Sequence, residues 1–131
     1  MAALETVQAI YTAFGHGDIA SIMGHISPDV RWEHDATDHG IAWLKPGRGL
    51  AHVGEFFQTV GRELDITRFD VQQLYAAGDQ VIAQIDIELH VRSTDKQLRD
   101  FEVHHWQLGP DGKVHAFRHV VDTHKHLLAS R

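Results

Sequence analysis

Apolar residues return every three or four positions at the start of the chain, at Leu4, Val7, Ile10, Tyr11 and Phe14, until Gly15 interrupts them. That spacing lays them on one helical face, so residues 3–14 read as a first helix. Asp18 stands where an N-cap is wanted, ahead of Ile19, Ile22, Met23 and Ile26. Ser27–Pro28 should end this second helix, because the residue before a proline is pushed out of helical geometry. The period then changes. Residues 30–35, VRWEHD, alternate, with Val30, Trp32 and His34 on one side and Arg31, Glu33 and Asp35 on the other. They read as a short strand that turns His34 toward the apolar side. Gly and Pro make 36–49 a loop. Leu50, Val53, Phe56, Phe57, Val60 and Leu64 restore helical spacing for a third helix. From there the chain alternates, and 66–77, 80–92, 98–108 and 113–122 read as four strands separated by AAGD, STDK and GPDG.

Strand 80–92 separates cleanly: Val81, Ala83, Ile85, Ile87, Leu89 and Val91 share one face, and Gln84, Asp86, Glu88, His90 and Arg92 the other. The last two strands do not. Phe101 and Val103 oppose His104 and Trp106, while Phe117 and Val121 oppose Val114, Ala116 and Val120. A sheet covered only by its own helices should have one polar face. A twofold copy over the outer face is the simplest cover, which predicts a homodimer with His105 and Arg118 near its interface.

Composition narrows the classes. A chain of 131 residues suits one domain with one core, and residues 1–131 show no linker or repeat. The net charge of −6 and the lack of a basic run argue against nucleic acid, which needs a positive patch. Having no cysteine, the chain cannot form disulfides, thiolates or Cys-type zinc sites. MAALETVQAIY lacks the basic start of a signal peptide, and no apolar run reaches membrane-spanning length. The expectation is a soluble, cytoplasmic protein with no membrane partner.

What stands out is histidine. Of 12 in the chain, six fall in EVHHWQLGPDGKVHAFRHVVDTHKH, residues 102–126. Neighbours on a strand point to opposite faces, so His104 and His105 cannot serve one site. With GPDG as a four-residue loop, His104 lies opposite Phe117 and diagonal to His119. His104, Trp106, His115, Phe117 and His119 then share one face, and His105, Ala116 and Arg118 the other. His124 and His126 fall at the end of the chain, facing solvent.

Helix, helix, short strand, helix and a four-stranded antiparallel run resemble the nuclear transport factor 2-like fold, and in particular its SnoaL-like polyketide cyclase and ketosteroid isomerase branch. The resemblance rests on VQAIYTAFGHGDIASIMGHISPDVRWEHD, PGRGLAHVGEFF and HHWQLGPDGKVHAFRHVVDT and covers nearly the whole chain. It implies an α+β cone: a curved antiparallel sheet wrapped around three N-terminal helices, enclosing a pocket. In the isomerases the pocket tyrosine corresponds to Tyr11. The catalytic aspartate falls at His34, or one residue on at Asp35, and the oxyanion-binding aspartate at His104. The acid–base aspartate of the cyclases falls near His119. Imidazoles thus stand where the family has carboxylates, an arrangement more similar to scytalone dehydratase, which pairs pocket histidines with tyrosines.

These expectations define a site of Tyr11, His34, His104 and His119, walled by Trp32, Phe57, Trp106 and Phe117. An imidazole suits proton transfer at neutral pH. His34 is the expected base and His119 its acid–base partner. His104 and Tyr11 would donate to a developing enolate oxygen. The substrate would be a small apolar carbonyl or hydroxyl compound, turned over by isomerisation, cyclisation or dehydration with no cofactor and no metal. A binding module without turnover is the alternative, and an empty dimerisation domain a third. A three-histidine metal site at His34, His104 and His119 is less favoured, since none of the three is spaced as a local H-x-x-x-H pair.

Overall fold

Residues 2–131 are described by a computed structural model. The first helix, α1 (Ala2–Gly15), buries Ala3, Val7, Ile10 and Ala13. Asp18 caps α2 (Ile19–Met23), its carboxylate accepting from the Ser21 backbone N–H at 3.1 Å. That helix is shorter than expected: Ile26, Ser27 and Pro28 belong to β1 (Ile26–Trp32) instead. Proline has no ladder N–H, and its place in β1 lies where pairing skips from Ile26 to Arg31. The 36–49 loop carries a 3₁₀ turn (Ala42–Leu44) and the two-residue β2 (Gly47–Arg48) before α3 (Leu50–Glu63). Then come β3 (Leu64–Ala77), β4 (Gln80–Val91), β5 (Lys96–Leu108), β6 (Val114–Val120) and a final helix, α4 (Thr123–Ala129).

The strands form one open six-stranded sheet in the order β2-β1-β6-β5-β4-β3. β1 pairs with β6 in parallel, so the sheet is mixed rather than wholly antiparallel. The α+β class stands, with helices against the sheet's concave face. There α1, α2 and α3 pack on Trp32, Val81, Trp106 and Phe117, while Trp43 and Ala129 meet Ile85, Ile87 and Leu89 of β4. The inward face of β4 is the one its alternation indicates.

Three local departures decide the site. β1 stops at Trp32, and Glu33 and Asp35 take left-handed backbone angles, φ 57° and 60°. That turn breaks the alternation, so Glu33 is the buried residue (2% exposed) and His34 is not. In the β5–β6 hairpin, Gly109 N–H bonds Lys113 O at 2.9 Å, Gly112 takes φ 76°, and a bulge follows. The register therefore slips by two from the expected one. His104 lies directly opposite His119, Trp106 opposite Phe117, and His115 turns onto the hairpin loop, 2.9 Å from Asp111. Finally, Asp122 caps α4 by accepting from Lys125 N–H. The helix turns His126 into the core, 1% exposed, where solvent was expected.

Candidate active site

Alternation along β5 sends Asp100, Glu102, His104 and Trp106 to the concave face, all buried. β6 lays His119 beside His104, ring centroids 4.7 Å apart and nearly perpendicular. Opposite His104 on β4 is Ala83, small enough to leave room for the imidazole. The β1 turn supplies Glu33, and α4 supplies His126. The clustered histidines thereby resolve into three acid–imidazole pairs, two buried and the His119 pair partly so. Glu102 Oε1 lies 3.0 Å from His104 Nε2, Asp100 Oδ2 lies 3.0 Å from His126 Nε2, and the Glu33 carboxylate bonds His119 Nδ1. Glu33 also accepts the His119 backbone N–H at 3.3 Å.

Donor logic places the protons. An indole N–H only donates. Trp106 donates to the Tyr11 hydroxyl oxygen at 2.9 Å. Glu102, ionised, can only accept at 3.0 Å, so neutral His104 carries its proton on Nε2, and its Nδ1 accepts the Tyr11 O–H at 2.7 Å. Trp43 donates to His126 Nδ1 at 3.0 Å, which places that ring's proton on Nε2, toward Asp100. His119 differs. Glu33 holds its Nδ1–H, and its Nε2 takes no hydrogen bond.

The same network sets charge. Burial works against an imidazolium at His119, but Glu33 and then Glu102 outweigh it and hold its proton affinity above the ordinary histidine value. Burial, reinforced by the His119 charge, pushes His104 below that value despite its bond to Glu102. Glu102 is lowered: burial opposes ionisation, yet His104, His119 and His126 together win. Tyr11 is pushed well above the usual phenol range, chiefly by burial. Its hydroxyl is a fixed bridge rather than an acid.

Three cavities meet at His119. The aromatic one, about 50 Å³, has walls that include Phe14, Trp32, Phe57, Phe69, Trp106 and Phe117. A second of about 50 Å³ lies past Phe56 and Phe69, against Glu102 and His126. The third, about 100 Å³, is polar, with Glu33, Thr37, His39 and Arg118 around it. The Trp32 indole N–H is buried with no acceptor among the described residues.

Tyr11, His104 and His119 thus come together as expected, walled by Trp32, Phe57, Trp106 and Phe117. His34 does not join them. Arg31 donates to its Nε2 at 3.1 Å, Asp35 lies 3.3 Å away, and its side chain is 26% exposed. Asp35 faces solvent, so neither alternative for the base position reaches a cavity; Glu33 does. Asp100 and Glu102 were legible, because they share the period-two face of His104. With His34 absent, the three-histidine metal set does not exist. Donor atoms of Glu102, His104 and His119 do lie within 4.8 Å of one another, as do those of Asp100, Glu102 and His126.

Residues 7–117 match the family described as the SnoaL-like domain. The chain belongs to that family. Among solved structures, this SnoaL-like domain is similar to an NTF2-like protein of Burkholderia thailandensis, at 27% identity and TM-score 0.85, covering 98% of this chain and 97% of that one. An NTF2-like protein of Burkholderia xenovorans aligns at 20% identity and TM-score 0.87 over 99% and 96%. A LEH-like epoxide hydrolase of Mycobacterium tuberculosis aligns at 13% identity and TM-score 0.73 over 98% and 89%. No curated protein matches the sequence. The chain has the fold of the SnoaL-like family, and no helix among the described residues is long and apolar enough to cross a membrane.

Proposed function

We propose that this SnoaL-like domain is an enzyme that moves protons on a small apolar carbonyl or hydroxyl compound, through His119 and without a cofactor. The observation that supports it is the Glu33–His119 pair, in which one ring nitrogen is left unengaged and the His119 side chain lines all three cavities. Glu33 keeps the proton on Nδ1 and stabilises the imidazolium, as a buried carboxylate does for a catalytic histidine. In its neutral form Nε2 takes a proton from the carbon next to a carbonyl; the C–H electron pair moves to the carbonyl oxygen as an enolate. The imidazolium then returns that proton to a distal carbon, giving isomerisation, or to a departing hydroxyl, giving water and an alkene. A raised proton affinity favours the second use, as an acid.

His104 and Tyr11 have other work. Both of their protons are engaged, toward Glu102 and His104, so neither donates to an enolate in this arrangement. Among the described residues two buried donors lack a partner, the Trp32 indole N–H and Arg118 Nε–H. Trp32 is the one on the aromatic cavity, and a buried N–H left unpaired costs about 1–3 kcal/mol that a ligand oxygen would recover. Incubating the protein in D₂O with a panel of small aryl ketones and β-hydroxy ketones tests the reading. Deuterium entering next to the carbonyl, or water loss, is expected; it should vanish in His119→Gln and weaken in Glu33→Gln. Ligand binding with no exchange and no turnover across the panel would favour the binding module instead.

We also propose a homodimer through the convex face. Phe101 (53% exposed) and Val120 (50% exposed) lie there, with Val103 paired to Val120 between them. Light scattering at micromolar concentration should return twice the chain mass, and Phe101→Glu should return a folded monomer. A monomeric wild type ends this proposal.

A further inference from the structure

Asp100 and His126 take no part in the chemistry proposed above, yet both are buried, and burying an acid–imidazole pair is costly unless every polar atom is satisfied. Here every one is. α4 delivers His126, and the helix is fastened to the β4–β5 end of the sheet. Lys125 Nζ donates to Arg99 O at 3.0 Å, and Thr94 Oγ1 to Ala129 O at 2.6 Å. Trp43 fixes the ring from one side at 3.0 Å. Asp100 Oδ2 accepts from Nε2 on the other, and also takes the Asp122 backbone N–H at 3.0 Å. That same Nε2 lies 3.6 Å from Glu102 Oε2, while Glu102 Oε1 takes the His104 proton. Glu102 therefore has the His104 imidazole bonded at Oε1 and the edge of the His126 ring packed beside Oε2, at a distance longer than a hydrogen bond.

The consequence lies at His119. Its donor atom and those of Glu102 and His104 all fall within 4.8 Å of one another. A carboxylate free to turn would close on the His119 imidazolium and occupy Nε2. It would also release the His104 proton, whose place on Nε2 makes Nδ1 the acceptor for Tyr11. We infer that His126 is a positioning residue: it holds Glu102 against His104 and away from His119, and so keeps the His119 Nε2 open and the Tyr11 proton on His104. Its bearing on turnover rests on the reading of His119 as the proton-transfer group; the arrangement itself does not. Partners of this outer kind commonly fix which ring nitrogen carries a proton.

The test needs no substrate. In ¹⁵N-labelled protein at neutral pH, the imidazole nitrogens should report Nε2–H for His104 and His126 and a protonated Nδ1 for His119. His126→Leu should abolish the Nε2–H pattern of His104 and shift the His119 Nε2 signal. His126→Gln, which can offer an amide N–H to Glu102, should restore both. Trp43→Phe removes only the N–H that orients the ring and should move His104 the same way, which keeps the test open if His126→Leu does not fold. Signals of His104 and His119 unchanged in folded His126→Leu or Trp43→Phe overturn the inference, as does a His126→Gln no closer to wild type than His126→Leu. A failed turnover screen would instead remove the acid–base function and leave these spectra as expected.

Discussion

Replacing His119 with glutamine should lower turnover by about 100- to 10,000-fold, the range a positioned general acid–base contributes. Glutamine keeps the volume and can still donate to Glu33, so thermal unfolding should show a folded protein. What it lacks is a nitrogen that gains and loses a proton. Glu33→Gln should fall between the two, since it leaves the imidazole in place but releases its tautomer and removes the charge that favours the imidazolium. His34→Asn should change turnover by no more than about twofold, because this half-exposed ring contacts Arg31 and Asp35 outside the cavities. Steady-state kinetics on any substrate from the screen separates the three. A His119→Gln enzyme near wild-type rate, or a His34→Asn enzyme without activity, removes the assignment.

The contrast between His119 and His34 shows how far the sequence could be read. Long periodic runs carried their own answer: α1, α3 and the buried face of β4 follow from spacing alone, because each repeats its period several times. So does the shared face of Asp100, Glu102, His104 and Trp106. Glu33 does not follow. A single left-handed residue after Trp32 reverses which neighbour points inward, and nothing in VRWEHD marks Glu33 for that conformation. The hairpin register depended on how GPDG closes, and a bulge beside Leu108 moved His119 from a diagonal to a direct neighbour of His104. α4 is too short for its period to show, although Asp122 was a readable cap. Its burial rests on a bond between Trp43 and His126, 83 positions apart, which no local pattern contains. The misread residues are those whose direction is set by one turn; the correctly read ones sit inside elements.

Stability should peak close to pH 6.5 and fall on both sides, where burial alone would predict a loss only in acid. His104 is lowered from the ordinary value of 6.5, so between that value and its folded one the unfolded chain binds more protons. Stability there rises with pH, and this part is fully present only above 6.5. Glu102 is lowered from 4.5, and its contribution disappears as the pH falls through its folded value, which steepens the acid limb. His119 has the opposite sign. Raised above 6.5 by Glu33 and Glu102 against the effect of burial, it binds protons more tightly when folded. Its contribution is complete below 6.5 and is lost as pH climbs through the folded value. His90, raised by Asp95 and Asp65 at the surface, acts in the same direction. Each tenfold change in proton affinity is worth about 1.4 kcal/mol, so urea unfolding at half-unit pH steps should resolve both limbs. His119→Gln should reduce the alkaline limb to the part His90 supplies and soften the acid one, because His104 and Glu102 both lose the His119 charge that helps lower them. A profile that rises steadily from pH 5 to 8 in the wild type would mean that Glu33 does not hold a proton on His119, and the acid role proposed for that imidazole would go with it.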